Sequence, residues 1–197
     1  MNIVTLNIPG LDWQTGVLAK QIVNDHPAPF RVILAVKKGG SFVARSFLKS
    51  YPAELVEFFG EVDLHRPSTK YKKGTLVRML PHVPLWILNS MRRTEATLLK
   101  MKQHLREPRV PHLDLETEIA DRLRDGVPEV LLIDDAVDSG TTARGVIDAV
   151  LRANPKARVK VMAITVTTDS PLVMADYYTY NNGTLVRFPW SKDYKNR

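Results

Sequence analysis

Four consecutive apolar residues, Val130-Leu131-Leu132-Ile133, run directly into two adjacent carboxylates, Asp134 and Asp135, and then into the short turn Ala136-Val137-Asp138-Ser139-Gly140-Thr141-Thr142. No other stretch of the 197-residue chain restricts its fold as much. An unbroken apolar run of this length suits a strand covered on both faces, as in parallel sheets flanked by helices. The carboxyl end of such a strand is where ligands of open α/β sheets bind. Hydroxyls of Ser139, Thr141 and Thr142, with the backbone N–H groups of a helix starting there, make a cradle for phosphate. Paired acids above the cradle suit the cis hydroxyls of a ribose, so the segment asks for a ribose 5-phosphate. An isolated Asp-Asp pair would more simply be a solvated acidic edge; the whole string is too particular for that.

The surrounding chain alternates helix and strand. Apolar residues at helical spacing predict a helix over Leu11–Val23, with Asp12 as its N-cap. Phe30–Val36 reads as a strand closed by Lys37-Lys38-Gly39-Gly40, Ser41–Ser50 as a helix ended by Pro52, and Leu55–Leu64 as a strand or two short strands broken at Gly60. Residues 65–75 are polar and basic, contain Pro67 and Gly74, and read as a mobile loop. A helix or helix pair is expected over Pro84–Leu105. Another helix is expected over Asp114–Arg124, capped by Asp114 and followed by Gly126. Val130–Ile133 and Arg158–Thr165 read as strands around a helix at Thr141–Leu151. Tyr177–Tyr180 and Thr184–Phe188 flank Asn181-Asn182-Gly183, a β-hairpin signal. The expectation is one α/β domain over residues 1–197, its parallel sheet covered by helices on both faces.

The string from Val130 to Thr142 resembles the phosphoribosyl pyrophosphate signature of the type I phosphoribosyltransferases: an apolar strand, two acids, two variable residues, then a Thr/Ser-Gly-x-Thr loop. Val36-Lys37-Lys38-Gly39-Gly40 is similar to the pyrophosphate loop of the hypoxanthine and xanthine enzymes of that family, where a basic residue precedes Gly-Gly. The resemblance implies a pyrophosphate site at Lys37, Lys38, Gly39 and Gly40, with Lys38 as the catalytic contact and a cis peptide bond before it. It also implies a phosphoribosyl pyrophosphate site over residues 134–142, with Asp134 and Asp135 reaching Mg²⁺ through water. Residues 65–75 fall where the family keeps a flexible loop, which makes Ser68, Thr69 and Lys70 further pyrophosphate contacts. Asp138 stands where the 6-oxopurine members carry the acid that takes a proton from the base. The segment at about 167–197, with Leu185, Val186 and Trp190, resembles the part that lies over the acceptor, as a small hood built on the C-terminal hairpin.

Two departures leave the acceptor open between a 6-oxopurine and another nucleobase-like compound. Leu185 stands where those enzymes place a stacking aromatic residue, and Thr167, Thr168 and Asp169 stand where they place a lysine. A helical insertion at about 80–110 also lacks a counterpart. Between Arg66 and Arg109 the chain carries 11 basic and 2 acidic residues, a charge of +9, so the rest carries −2 of the total +7. A stretch this basic wants an anionic partner or is a solvated helix. It keeps a second function alive, a phosphoribosyl pyrophosphate-binding regulator that meets nucleic acid or a protein partner through the insertion. The resemblance implies a homodimer.

Other chemistries are excluded more directly. The absence of cysteine removes disulfides and thiolate catalysis. There is no Walker loop, dinucleotide fingerprint, zinc-protease motif or nucleophile elbow, and the five histidines lack metal-ligand spacing. No run approaches the roughly 18 apolar residues of a membrane span, and Met1–Pro9 lacks the pattern of a signal peptide. A cytoplasmic enzyme is the expectation.

Overall fold

The computed structural model describes residues 2–26, 28–64, 109–181, 183–191 and 193–194. The expected loop at 65–75, including Ser68, Thr69 and Lys70, lies outside the described residues, as does the insertion at 80–110 apart from Arg109 and Val110. In chain order the elements are β1 (Ile3–Thr5), α1 (Ile8–Asp25), β2 (Val32–Val36), α2 (Gly39–Phe47), a 3-10 turn (Ala53–Leu55), β3 (Phe58–Val62), α3 (Thr117–Leu123), β4 (Glu129–Val137), α4 (Thr141–Ala153), β5 (Arg158–Val166), β6 (Tyr177–Tyr180) and β7 (Leu185–Arg187).

Five strands form one parallel sheet in the order β3-β2-β4-β5-β6. The apolar run of β4 sits at its centre, with Leu132 level with Leu34 of β2 and with Val161 of β5. Successive side chains of a strand face opposite sides, so the run feeds two cores. Val130 and Leu132 pack with Leu34, Leu123, Val146 and Val150 on the α3–α4 side. Leu131 and Ile133 pack with Ile33, Leu18, Ile22 and Phe47 on the α1–α2 side. Each such fully buried side chain contributes about 1.5–3 kcal/mol, which is why the run tolerates no polar residue until the sheet has been crossed.

From β2 the chain steps outward to β3, then returns to lay β4 on the other side of β2. That reversal opens a crevice at the carboxyl ends of β2 and β4. β4 is longer than its apolar run: it continues through Asp134 to Val137 because β5 keeps pairing with it, Ala136 opposite Thr165 and Val137 opposite Val166. Its last described partner on β2 is Ala35, opposite Ile133. The polar end of the strand is thus held by β5 while its other edge meets the crevice.

Three expectations need correction. α1 starts at Ile8, where the Asn7 side chain accepts a hydrogen bond from the Gly10 N–H at 2.8 Å and Pro9 occupies the first turn. Asp12 is therefore not its cap; it lies inside the helix and bridges to α2, accepting from Ser46 Oγ and, at 2.8 and 2.9 Å, from Lys49 Nζ. Asp114 does not cap α3 either: the cap position is Glu116, without a side-chain hydrogen bond, and Asp114 pairs with His112 at 3.4 Å. The hairpin is replaced by two separate pairings. β6 joins the main sheet parallel to β5, and β7 pairs in parallel with β1 as a second, 2-stranded sheet. Gly183, at φ 71°, still supplies the turn, but partners distant in sequence claim both strands.

The hydrogen bond from Lys49, then that from Ser46, hold the Asp12 carboxyl below the usual carboxylate range. A depressed folded-state pKa means the stabilisation is present above the unfolded value near about 4 and is lost as pH falls through the folded value. The pair is about a third exposed on the Asp12 side, so screening keeps its worth under about 1 kcal/mol. Asp12→Asn is expected to lower stability by that much at pH 7, with the difference closing below about pH 4; urea unfolding across pH checks it.

Candidate active site

Asp134 and Asp135 occupy the part of β4 that has passed the last β2 pairing. As consecutive strand residues they turn to opposite faces. The Asp135 N–H donates to Asp134 Oδ1 at 2.8 Å, which ties the two acids together. Asp135 lies against the Lys37-Lys38-Gly39-Gly40 loop so closely that a methyl group on Gly39 would fall 2.0 Å from its Oδ2. That oxygen also accepts a hydrogen bond from Trp190 Nε1 at 3.1 Å. Burial raises the Asp135 pKa, and the nearby Asp138 charge raises it further, against the opposing hydrogen bonds from Trp190, Asp134 and the Ala136 backbone.

The turn after β4 delivers the chain into α4. Gly140 stands at the N-cap with φ 73°, a conformation that side chains resist, and a methyl group there would lie 2.4 Å from the backbone nitrogen of Val173. Having no side chain, Gly140 cannot cap the helix itself. Ser139 Oγ and Thr141 Oγ1 sit 2.9 Å apart, and the Leu172 N–H donates to Ser139 O at 2.8 Å, which fixes the turn from the β5–β6 connection. Residues 134–143, with Val36, Lys37, Gly39 and Leu64, line a cavity of ≈ 500 Å³. That volume is within the usual range of small-ligand sites.

The structure thus brings Asp134, Asp135, Ala136, Val137, Asp138, Ser139, Gly140, Thr141 and Thr142 to one cavity with Lys37 and Gly39. Lys38 is exposed at the cap position of α2, and Gly40 is buried in that helix's first turn. Neither is among the described lining residues. The Lys37–Lys38 peptide bond is cis, as the resemblance implied. The Lys37 N–H donates to Val62 O at 3.0 Å, anchoring the loop to the end of β3, and its ammonium lies 3.9 Å from Glu116.

Of the residues that the resemblance assigned to the acceptor, Leu185 is half-buried, Val186 is buried beside Val4 of β1, and Trp190 is half-buried. None of the three lines the cavity. Two residues without an assigned role prove to be close to it. Thr167 Oγ1 donates to Asp138 Oδ1, and Thr168 Oγ1 donates to Asp138 O at 2.7 Å. The threonines found in place of a lysine therefore hold the candidate proton acceptor. Their position at the end of β5, beside the end of β4, was the signal available. Phe42 of α2 is the other omission: its ring stacks on Trp190 with centroids 4.9 Å apart.

No family model and no curated protein matches the chain. Solved structures do. A purine phosphoribosyltransferase from Pyrococcus horikoshii matches 96% of this chain over 94% of its own, with a TM-score of 0.56 at 19% identity. A hypoxanthine-guanine phosphoribosyltransferase from Bacillus anthracis matches 90% of this chain over 82% of its own, with a TM-score of 0.52 at 16% identity. A hypothetical protein from Neisseria gonorrhoeae with bound ppGpp matches 96% of this chain over 89% of its own, with a TM-score of 0.57 at 12% identity. The architecture is therefore that of the type I phosphoribosyltransferases. The cavity at the carboxyl ends of β2 and β4 gathers Lys37, Gly39 and residues 134–142 of those the sequence singled out.

The left-handed backbone at Gly140 gives a direct check on the turn. Gly140→Ala is expected to cost at least about 1–2 kcal/mol from the φ requirement alone, before the contact with Val173 is counted. Chemical denaturation of the two proteins measures it.

Proposed function

We propose that the protein is a phosphoribosyltransferase, which transfers ribose 5-phosphate from phosphoribosyl pyrophosphate to a ring nitrogen of a nucleobase-like acceptor and releases pyrophosphate. The observation that carries this reading is the placement of Asp134 and Asp135 beyond the β2 pairing, directly above the turn that starts α4. In this reading the turn from Ser139 to Thr142 and the N–H groups of the α4 start hold the 5-phosphate. Asp134 and Asp135 accept hydrogen bonds from the two ribose hydroxyls. Lys37, Lys38 and the Gly39-Gly40 backbone face the pyrophosphate, with Ser68, Thr69 and Lys70 as further contacts.

Among the described residues no cluster of three or more acids or histidines could hold a metal by itself. Two adjacent carboxylates beside a phosphate site nevertheless fit magnesium, which keeps most of its water and is shared with substrate phosphates. Asp134 and Asp135 would hold Mg²⁺ through water, and the ion would supply positive charge against the departing pyrophosphate. The need for such charge is plain: the described cavity wall carries Asp134, Asp135 and Asp138 against the single cation Lys37.

The acceptor nitrogen bonds to ribose C1, the C1–O bond to pyrophosphate breaks, and the acceptor's proton passes to Asp138, whose carboxylate Thr167 orients. Exclusion of water from C1 matters because hydrolysis competes. Leu185, Val186 and Trp190 belong to the segment assigned to the acceptor side, Val186 by its backbone because its side chain is buried. The purine enzymes among the structural neighbours favour a purine and a role in purine salvage. The threonines on Asp138 favour an acceptor that does not need a lysine at its oxo group. We further propose that the enzyme acts in the cytoplasm as a homodimer; no helix among the described residues is long and apolar enough to cross a membrane. The +9 segment between Arg66 and Arg109 supports a second reading, a phosphoribosyl pyrophosphate-binding regulator that contacts nucleic acid or a protein partner there.

Calorimetric titration of phosphoribosyl pyrophosphate with and without Mg²⁺, followed by a screen of purines and pyrimidines for pyrophosphate release, tests the reading. Mg²⁺-dependent binding with release on one base is the expected result. Binding without release on any base moves the weight to the regulatory reading, and no binding overturns both. Asp134→Asn combined with Asp135→Asn is expected to weaken binding at least about tenfold; retained binding would remove these acids from the site.

A further inference from the structure

The segment after β7 is built to hold one side chain still. The Ser191 N–H donates to Phe188 O at 2.9 Å, and the Phe188 N–H donates to Ser191 Oγ at 3.0 Å, closing a turn over Pro189 and Trp190. Pro189 fixes its own φ within that turn. The flanks of the turn are joined by a buried ion pair, Arg187 Nε to Asp193 Oδ2 at 2.9 Å, and Arg187 also donates to Thr5 Oγ1 of β1 at 3.1 Å. Such a pair adds little net stability, but it fixes geometry when both partners are satisfied.

What this scaffold presents is the Trp190 indole. Its ring lies nearly parallel to Phe188, with centroids 4.7 Å apart and planes 7° apart, and to Phe42, at 4.9 Å and 16°. Phe42 remains 47% exposed, so core burial alone does not account for its aromatic side chain; the stack on Trp190 does. The indole N–H reaches 3.1 Å from Asp135 Oδ2, across 55 positions of sequence. One side chain therefore touches the second acid of the pair, the helix that opens at the Lys37–Gly40 loop, and the segment assigned to the acceptor.

We propose that Trp190 is a positioning residue for the donor substrate: its N–H holds Asp135 in the orientation that meets the ribose hydroxyls. The assignment rests on the proposed function. It differs from a base-stacking role for Trp190, because the stacking contacts described are with Phe42 and Phe188. A hydrogen bond to a buried carboxylate is directional, and its loss frees the carboxylate to rotate. Since the same indole packs on Phe188 of the acceptor segment, displacement of that segment would be felt at the ribose site.

Trp190→Phe keeps an aromatic ring between Phe42 and Phe188 and removes the donor. In calorimetric titrations with Mg²⁺, it is expected to bind phosphoribosyl pyrophosphate about tenfold more weakly than the unsubstituted protein. In turnover, KM for phosphoribosyl pyrophosphate is expected to rise while KM for the acceptor holds. Equal affinity in the two proteins, or a rise confined to the acceptor, would overturn this inference and leave the proposed function standing. Absence of binding by the unsubstituted protein overturns the proposed function and this inference with it. Should Trp190→Phe fail to fold, the unsubstituted protein still decides. The Trp190 indole N–H resonance, assigned through Trp13→Phe and Trp86→Phe, must shift on saturation with phosphoribosyl pyrophosphate and Mg²⁺, and an unmoved resonance overturns the inference.

Discussion

Beyond Ile133 the central strand keeps only one described neighbour, and the candidate site depends on that loss. Up to Ile133, β4 is hydrogen-bonded by β2 on one edge and β5 on the other, with apolar helices over both faces. Past that point β2 has turned away at Val36 into its glycine loop, while β5 continues to Val166. A backbone held along a single edge stays extended and ordered, yet exposes its other edge to the crevice. Side chains placed there are rigidly held at the crevice, where Asp134 and Asp135 line its wall and Asp135 lies against the glycine loop. The acids, the turn and the α4 start inherit their position from this asymmetry.

The gathering of residues 134–142 at one cavity was legible in the sequence because it is local. Residues 130–142 combine a strand, its polar end, a turn and a helix start within one continuous string, and each part has its own residue signature. The two-face packing of the sheet was equally legible, since four apolar residues in succession admit little else in an alternating chain. What could not be read were features decided by distant partners. Asn181-Asn182-Gly183 is good turn chemistry, but β7 pairs with Ile3–Thr5, a strand too short to carry a pattern. Asp12 has the residue type of a cap, yet its carboxylate is claimed by Ser46 and Lys49 from another helix. Thr167 and Thr168 looked like an absence, a missing lysine, until the register of β5 against β4 placed them on Asp138.

The crevice is acidic, and the proposed substrate is an anion. Asp134, Asp135 and Asp138 are fixed close together by strand geometry rather than by attraction. In the proposed reading the balance comes from three sources: helix-end N–H groups at α4, the lysines at the end of β2, and a hydrated divalent ion. Each acts on a different part of the donor. In that reading, specificity for a molecule with a sugar diol between two phosphate-bearing ends follows from that spacing of charge more than from any one contact.

The pairing of β1 with β7 also has a consequence for how the protein is made. Ile3 waits opposite Leu185, a partner synthesised 182 residues later, and contacts that far apart in sequence form late. A nascent chain that has emerged through α4 and β5 already contains every residue of the Ser139–Thr142 turn and the paired acids. It still lacks β7, which carries Arg187, and the turn that carries Trp190. The crevice is therefore completed from the β4–α4 turn toward the turn that carries Trp190, and Ile3–Thr5 remain without their strand partner until Leu185–Arg187 are made.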